Sequence, residues 1–344
     1  MMGGMTRLPM LGLVGAAGVA AVLASAAAAP EPPPQPGAPD RSGWRWYKGN
    51  THAHTTSSDG DSTPEEVTRW YRDHGYHFLV LSDHNVLTPT SSLAAAFGVP
   101  GQFLLVPGEE VTDAFEKKPL HVNGLDVARL VEPRHGGSVS DVLQRNVEAI
   151  REAGGVPHVN HPNFGWAITP ADLAAVSGYR LLEIFNGHPL VNNLGGGDAP
   201  GMEDVWDRLL GAGRRVYGIA VDDAHYFKRP WDATAPRPGQ GWVVVHAPRL
   251  EPAALMASLE AGDFYASTGV ELEDYRVGEG TVHVRVRPAG DTRYRSTLVD
   301  ATGVVATVNG TDVRFSLSGR RGYARVTVTD SNGHRAWTQP VFLP

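Results

Sequence analysis

From Trp44 onward the chain alternates short apolar runs with stretches of amphipathic helical spacing. Residues 44–48, 77–81, 103–107, 156–160, 181–185, 216–220 and 242–245 are apolar, aromatic and β-branched, and they read as strands. Between them lie helix signals. Thr63-Pro64-Glu65-Glu66 combines an N-cap, a proline in the first turn and a capping-box glutamate, so a helix is expected to about His74, where Gly75 stops it. Ser140 is expected to cap a helix running to Ala153 and closed by Gly154. A short helix follows Thr169-Pro170-Ala171-Asp172, and two more span 202–212 and 252–261. Strands alternating with helices imply parallel pairing, in an α/β barrel or a doubly wound sheet. Near Leu272 the period drops to two. Val282, Val284 and Val286 share one face while His283, Arg285 and Arg287 share the other, and Asn309-Gly310 and Asn332-Gly333 read as hairpin turns. A small antiparallel β domain is expected over 271–344, covering one end of the larger domain at 43–270.

The start of the chain has a different pattern. Arg7 is the only charge ahead of an apolar run over 8–23, and Ala24-Ser25-Ala26 supplies small residues for cleavage. Residues 1–29 read as a signal peptide, which implies a secreted or periplasmic protein. An uncleaved membrane anchor is the alternative, because the run extended to Ala29 approaches the roughly 20 residues that span a bilayer. Residues 30–42 are a proline-rich, solvated linker.

Charge and composition narrow the chemistry. A net charge of -7 provides no basic field, so strong nucleic-acid binding is not expected; a small-molecule ester is the expected partner, with no membrane association beyond a possible N-terminal anchor. The absence of cysteine excludes disulfides and thiolate ligation, leaving His, Asp and Glu to hold any metal. Such residues recur at strand ends. His52 and His54, two apart after the first strand, share one face, and Asp59 follows in a Ser/Gly-rich turn. Later strands bring Asp83-His84, Gly108-x-Glu110, His121, His161-Pro162 and Asp223-x-His225. In barrels, chemistry collects at strand C-termini. Of the neighbours, His158 has the strand parity opposite to His161 and reads as a core histidine. Glu109 reads as a supporting or solvated group, Asp83 as a group orienting a ligand by hydrogen bonding, and His188 as a residue facing substrate.

This ordered set resembles the PHP (polymerase and histidinol phosphatase) superfamily over residues 47–269. The resemblance implies a distorted (β/α)7 barrel with two or three divalent ions, Zn, Mn or Fe, at the strand C-termini. Carried over, His52, His54, Glu110 and Asp223 would hold the first ion, Glu110, His121 and His161 the second, and Asp59, His84 and His225 the third. Asn160 and Asp222 depart from the usual alanine and serine without removing a ligand. The Gly-Asn-Thr-His-Ala-His opening, Asn160-His161-Pro162-Asn163 and the segment 336–340 are similar to exported CehA/McbA-type members. The expected function is an exported metal-dependent phosphoesterase that hydrolyses a small phosphomonoester or nucleotide-type substrate through a metal-bridging hydroxide. Glu110 and His188 are its expected catalytic residues, and Lys118, Arg134 and Arg229 are loop cations able to reach substrate phosphate. A carboxylic or carbamic ester hydrolase is the alternative on the same centre; an exported metal-binding protein without turnover is the alternative of another class.

Overall fold

The computed structural model describes residues 41–229 and 231–344. The expected signal peptide lies outside the described residues, as does the linker up to residue 40. No described helix is long and apolar enough to cross a membrane.

The first half of the chain builds two sheets. β1 (Arg45–Asn50), α1 (Pro64–Asp73), β2 (Phe78–Val80), α2 (Thr90–Phe97) and β3 (Leu104–Val106) place three strands in parallel order. β4 (Gly108–Phe115) and β5 (Lys118–Leu125) form an antiparallel hairpin whose turn holds Glu116 at φ 57. After α3 (Val139–Glu152), β6 (Val156–Val159) pairs antiparallel to β5. β7 (Leu181–Asn186) follows α4 (Pro170–Ala175), and β8 (Tyr217–Val221) follows α5 (Met202–Gly211), both in parallel pairing. β9 (Trp242–Ala247), α6 (Pro252–Ala261) and β10 (Phe264–Ser267) return the chain to β1, with both strands antiparallel to their neighbours.

The architecture is therefore mixed α/β. The expected strand–helix repeat is broken where Pro107 alone separates β3 from β4, and where β4 turns directly into β5. Isolated bridges join the two sheets: Ala53, after β1, to Ala224, after β8, and His84, after β2, to Glu110 within β4. Those two seams lie where the polar residues cluster.

Local sequence explains the starts of α1, α3 and α4. Thr63 and Glu66 form a reciprocal capping box on α1, and Thr169 and Asp172 form one on α4. The cap of α3 is Ser138 rather than the expected Ser140. Ser138 is extended and its Oγ accepts from the Asp141 N–H at 3.1 Å, whereas Ser140 is already helical. Sequence reading misses α2, because TSSLAAAF carries no apolar stripe and buries only Leu93.

The remaining strands are β11 (Leu272–Gly278), β12 (Thr281–Val286), β13 (Tyr294–Asp300), β14 (Gly303–Asn309), β15 (Asp312–Ser316), β16 (Gly322–Asp330), β17 (Arg335–Thr338) and β18 (Val341–Leu343). β11, β12 and β15 make a three-stranded sheet. The order β14-β13-β16-β17 continues through β10 into the sheet of β1. Val282, Val284 and Val286 are buried together with Val313 and Phe315, as alternation predicts. They share a core with Leu79, Leu81 and Tyr265. Asn332-Gly333 closes the β16–β17 hairpin. Asn309-Gly310 does not close a hairpin, because β14 pairs with β13 while β15 crosses to β12. Burial of Val313 and Phe315 selects that partner over the local turn signal. Arg325 of β16 is fully buried and bonds Asp207 at 2.6–2.7 Å and Glu203 at 2.9 Å, tying the C-terminal strands to α5.

Candidate metal centre

Backbone pairing sets the ligand positions before any side chain is considered. Asp223 N–H donates to His52 O at 3.0 Å and His54 N–H donates to Ala224 O at 2.9 Å, locking the end of β1 to the end of β8. Asn85 N–H donates to Glu110 O at 2.9 Å across the second seam. His161 and Asp223 sit at φ 20 and φ 50, uncommon values for residues other than glycine and a form of strain that clusters at functional sites.

The nine expected ligands converge. His52 Nε2 and His54 Nε2 are 3.1 Å apart, and Asp223 Oδ1 lies 3.2 and 3.1 Å from them. Glu110 faces both sides: Oε1 is 3.4 Å from His52 Nε2, 2.9 Å from His121 Nδ1 and 3.4 Å from His161 Nε2, while Oε2 is 3.3 Å from His54 Nε2 and 2.8 Å from His84 Nδ1. Asp59 closes the outer edge, 3.5 Å from His84 Nε2 and 3.4 Å from His225 Nε2. Compact groups form from His54, Asp59, His84 and His225; from His52, His54 and Glu110; from His52, His161 and Asp223; and from His84, Glu110 and His121. His161 thus also borders the first expected set, and His84 lies between the second and third.

The donors fit divalent cations. Glu110 Oε2 and His121 Nδ1 are buried and, despite nitrogen–oxygen approaches of 2.8 and 2.9 Å, make no well-angled hydrogen bond, an arrangement that buried polar atoms normally avoid. Imidazole and carboxylate together suit Zn, Mn or Fe. Electrostatics point the same way. Burial pushes the Glu110 carboxyl up, but His121, His52 and His84 outweigh it and hold it well below the usual carboxylate range. Asp223 is likewise raised by burial yet held well below its ordinary value by His52, His54 and His225. Burial and His225 push His54 down to about 4.

The neighbouring groups divide by what they touch. Asp83 accepts from Thr55 N–H at 2.7 Å, Ser58 Oγ at 2.8 Å and Thr88 Oγ1 at 2.6 Å. It clamps the loop after His54 and reaches that imidazole through Ser58, whose Oγ lies 3.4 Å from His54 Nδ1. Asn160 donates to Glu110 Oε1 at 2.7 Å. Asp222 turns away, accepting from Tyr71 OH at 2.8 Å and Gly241 N–H at 2.9 Å. Glu109 is buried rather than solvated. It accepts from Val131 N–H at 2.7 Å, and burial raises its carboxyl to about 7. His158 is buried with Nε2 3.3 Å from Glu183 Oε1. His188 joins no metal group; its ring lies 5.5 Å from that of His225. Its Nδ1 accepts from Leu190 N–H at 3.2 Å, so the neutral ring carries its proton on Nε2.

The expected loop cations are not gathered at the centre. Arg134 commits its guanidinium to Glu152 of α3, so it is not a free phosphate ligand. Lys118 is exposed at the β4–β5 turn. Arg229 stacks 4.5 Å over Tyr226, beside the His225 strand end. Sequence reading leaves Glu183 and Asn186 unassigned; both are buried polar residues of a strand whose other side chains are mostly apolar. That interruption was the available signal.

No family model matches this chain, and no curated protein matches it. Among solved structures, it is similar to a two-domain protein from Bacteroides vulgatus containing a predicted PHP-like metal-dependent phosphoesterase, at 16% identity and TM-score 0.51, covering 88% of this chain and 97% of that one. An amidohydrolase from Chromobacterium violaceum matches at 17% identity over 53% of this chain and 88% of its own, at TM-score 0.34. At these identities only the first similarity bears on this chain, and it bears on the fold.

Proposed function

We propose that this protein is a metal-dependent hydrolase of the PHP type, with a phosphoester as its substrate. The observation that carries the reading is Glu110, a fully buried carboxylate whose two oxygens face different histidine sets. In this reading His52, His54, Asp223 and Glu110 would hold one cation, Glu110, His121 and His161 a second, and Asp59, His84 and His225 a third. Bound there, the ions supply Lewis acidity and lower the pKa of water enough to make a nucleophile near neutral pH. The chain's own groups do the rest. Asp59 is half exposed and marks the open side of the cluster. His188, neutral with its proton on Nε2, donates a hydrogen bond or proton to the departing oxygen. Arg229, four residues after His225, is the cation this reading assigns to a substrate phosphate.

The first neighbour's PHP-like phosphoesterase domain supports the phosphoester reading through its shared fold. A carboxylic or carbamic ester is the second reading, favoured by the commitment of Arg134 to Glu152. Side-by-side turnover of an aryl phosphate and an aryl ester by metal-replete protein separates the two. Faster phosphate cleavage is expected; ester cleavage alone would overturn the phosphoester reading, and inactivity on both would favour a binding protein. Export is part of the same proposal: the mature N-terminus should fall between Ala27 and Glu31, and sequencing that returns Met1 would favour the anchored form.

A further inference from the structure

We propose that Glu183 is a positioning residue that sets the geometry of three candidate ligands at once; the proposal rests on the metal-centre reading above. Glu183 lies on β7 with no exposed surface. Its Oε1 is 2.7 Å from His52 Nδ1 and 3.3 Å from His158 Nε2. Its Oε2 accepts from the His161 backbone N–H at 2.7 Å and from Asn186 Nδ2 at 2.9 Å. The same Asn186 amide donates to Asp223 Oδ2 at 3.0 Å.

Each contact acts on a different ligand. With Nδ1–H donated to Glu183, His52 keeps its Nε2 lone pair for the face where His54, Asp223 and Glu110 converge. The bond to His161 N–H fixes the backbone of a residue held at φ 20. Through Asn186, the carboxylate reaches the side chain of Asp223, held at φ 50. Asn186 is itself fixed, since its N–H donates to Asn193 Oδ1 at 2.9 Å and its carbonyl accepts from Asn193 Nδ2 at 2.8 Å. Both left-handed ligands are therefore tied to one carboxylate from β7.

Donor and acceptor arithmetic shows why a carboxylate is required. Three certain or tautomer-set donors, His52 Nδ1, His161 N and Asn186 Nδ2, meet Glu183, with His158 beside them. An ionised carboxyl is acceptor-only and satisfies them all. A glutamine of the same shape must turn its NH2 toward either His52 or the His161–Asn186 pair, setting donor against donor in a buried site. Glu183→Gln is expected to lower zinc affinity about 10- to 100-fold while the fold is retained. Glu183→Asp, which keeps the acceptors but shortens the reach, should fall between wild type and Glu183→Gln.

The test uses the full chain loaded with zinc, a chelator titration for affinity, circular dichroism for fold and 15N NMR of the histidine rings. Expected in wild type is a His52 bound through Nε2 and protonated on Nδ1, a signature that packing alone does not produce. A folded Glu183→Gln variant with wild-type zinc affinity overturns the proposal and leaves the metal centre standing. Should that variant not fold, the wild-type spectrum decides: a His52 bound through Nδ1 overturns the proposal. Wild-type protein that takes up no zinc overturns the metal-centre reading itself.

Discussion

At the residue scale, two adjacent glutamates on β4 have opposite fates because strand parity turns them to opposite sides. Glu110 enters the histidine cluster, and Glu110→Gln is expected to lose bound metal and turnover together, checked by elemental analysis and ester hydrolysis on the same preparation. Glu109 packs against Val131, away from the cluster. Burial raises its carboxyl from 4.5 to about 7, so between those values the folded state binds more protons than the unfolded chain. Its contribution to stability therefore falls as pH rises through that window and is fully lost above about pH 7. Glu109→Gln should keep its metal and lose this part of the pH dependence, read as a smaller drop in Tm between pH 5 and pH 8 than in wild type. On the outer edge, His225→Ala should slow hydrolysis while retaining most bound metal, because His225 belongs to one compact group, that with His54, Asp59 and His84.

At the element scale, the helices are set by short-range signals that are legible in sequence when the cap is unambiguous. Thr63 and Glu66 bond reciprocally and α1 begins where they predict. Two serines compete at α3, and only the backbone decides between them: Ser138 is extended and can cap, while Ser140 lies inside the first turn. Ser138→Ala should cost about 1 kcal/mol in chemical denaturation, with Ser140→Ala near zero. Equal losses at both positions would contradict the capping geometry. The strand pairings were less legible. An apolar run announces a strand but not its partner, so the β4–β5 hairpin and the crossing of β15 to β12 follow from which faces need covering.

At the scale of the whole molecule, β13, β14, β16, β17 and β18 extend the sheet of β1, the separate sheet of β11, β12 and β15 shares its core, and Arg325 of β16 fastens the extension to α5. Removing this buried guanidinium strands Asp207 and Glu203, which retain some solvent contact. Arg325→Ala is therefore expected to cost about 3 kcal/mol, at the low end for breaking a buried pair, measured by denaturant unfolding. Metal removal should act on the molecule as a whole as well. A ligand that binds only the folded state stabilises it by mass action, so chelation should lower Tm in wild type. It should have little effect in Glu110→Gln if that variant is already metal-poor.

The order of the chemistry was readable along the chain. His52, His54, Asp59, His84, Glu110, His121, His161, Asp223 and His225 stand near strand ends or within strands, and alternation identified the faces of β12 correctly because the side-chain period of a strand is fixed by its backbone. Local physics of that kind needs no partner. Which histidine borders which carboxylate did need one: His84 reaches Glu110 only through a bridge between separate segments, and Glu183 meets His52 across 131 positions of sequence. Asp83 shows the same limit from the other side, since its neighbour in sequence is a candidate ligand yet its bonds go to Thr55, Ser58 and Thr88. Sequence by itself determined which residue types lay on which faces; tertiary structure decided their partners, because a buried donor or acceptor takes whichever complementary group the packed core brings within about 3 Å.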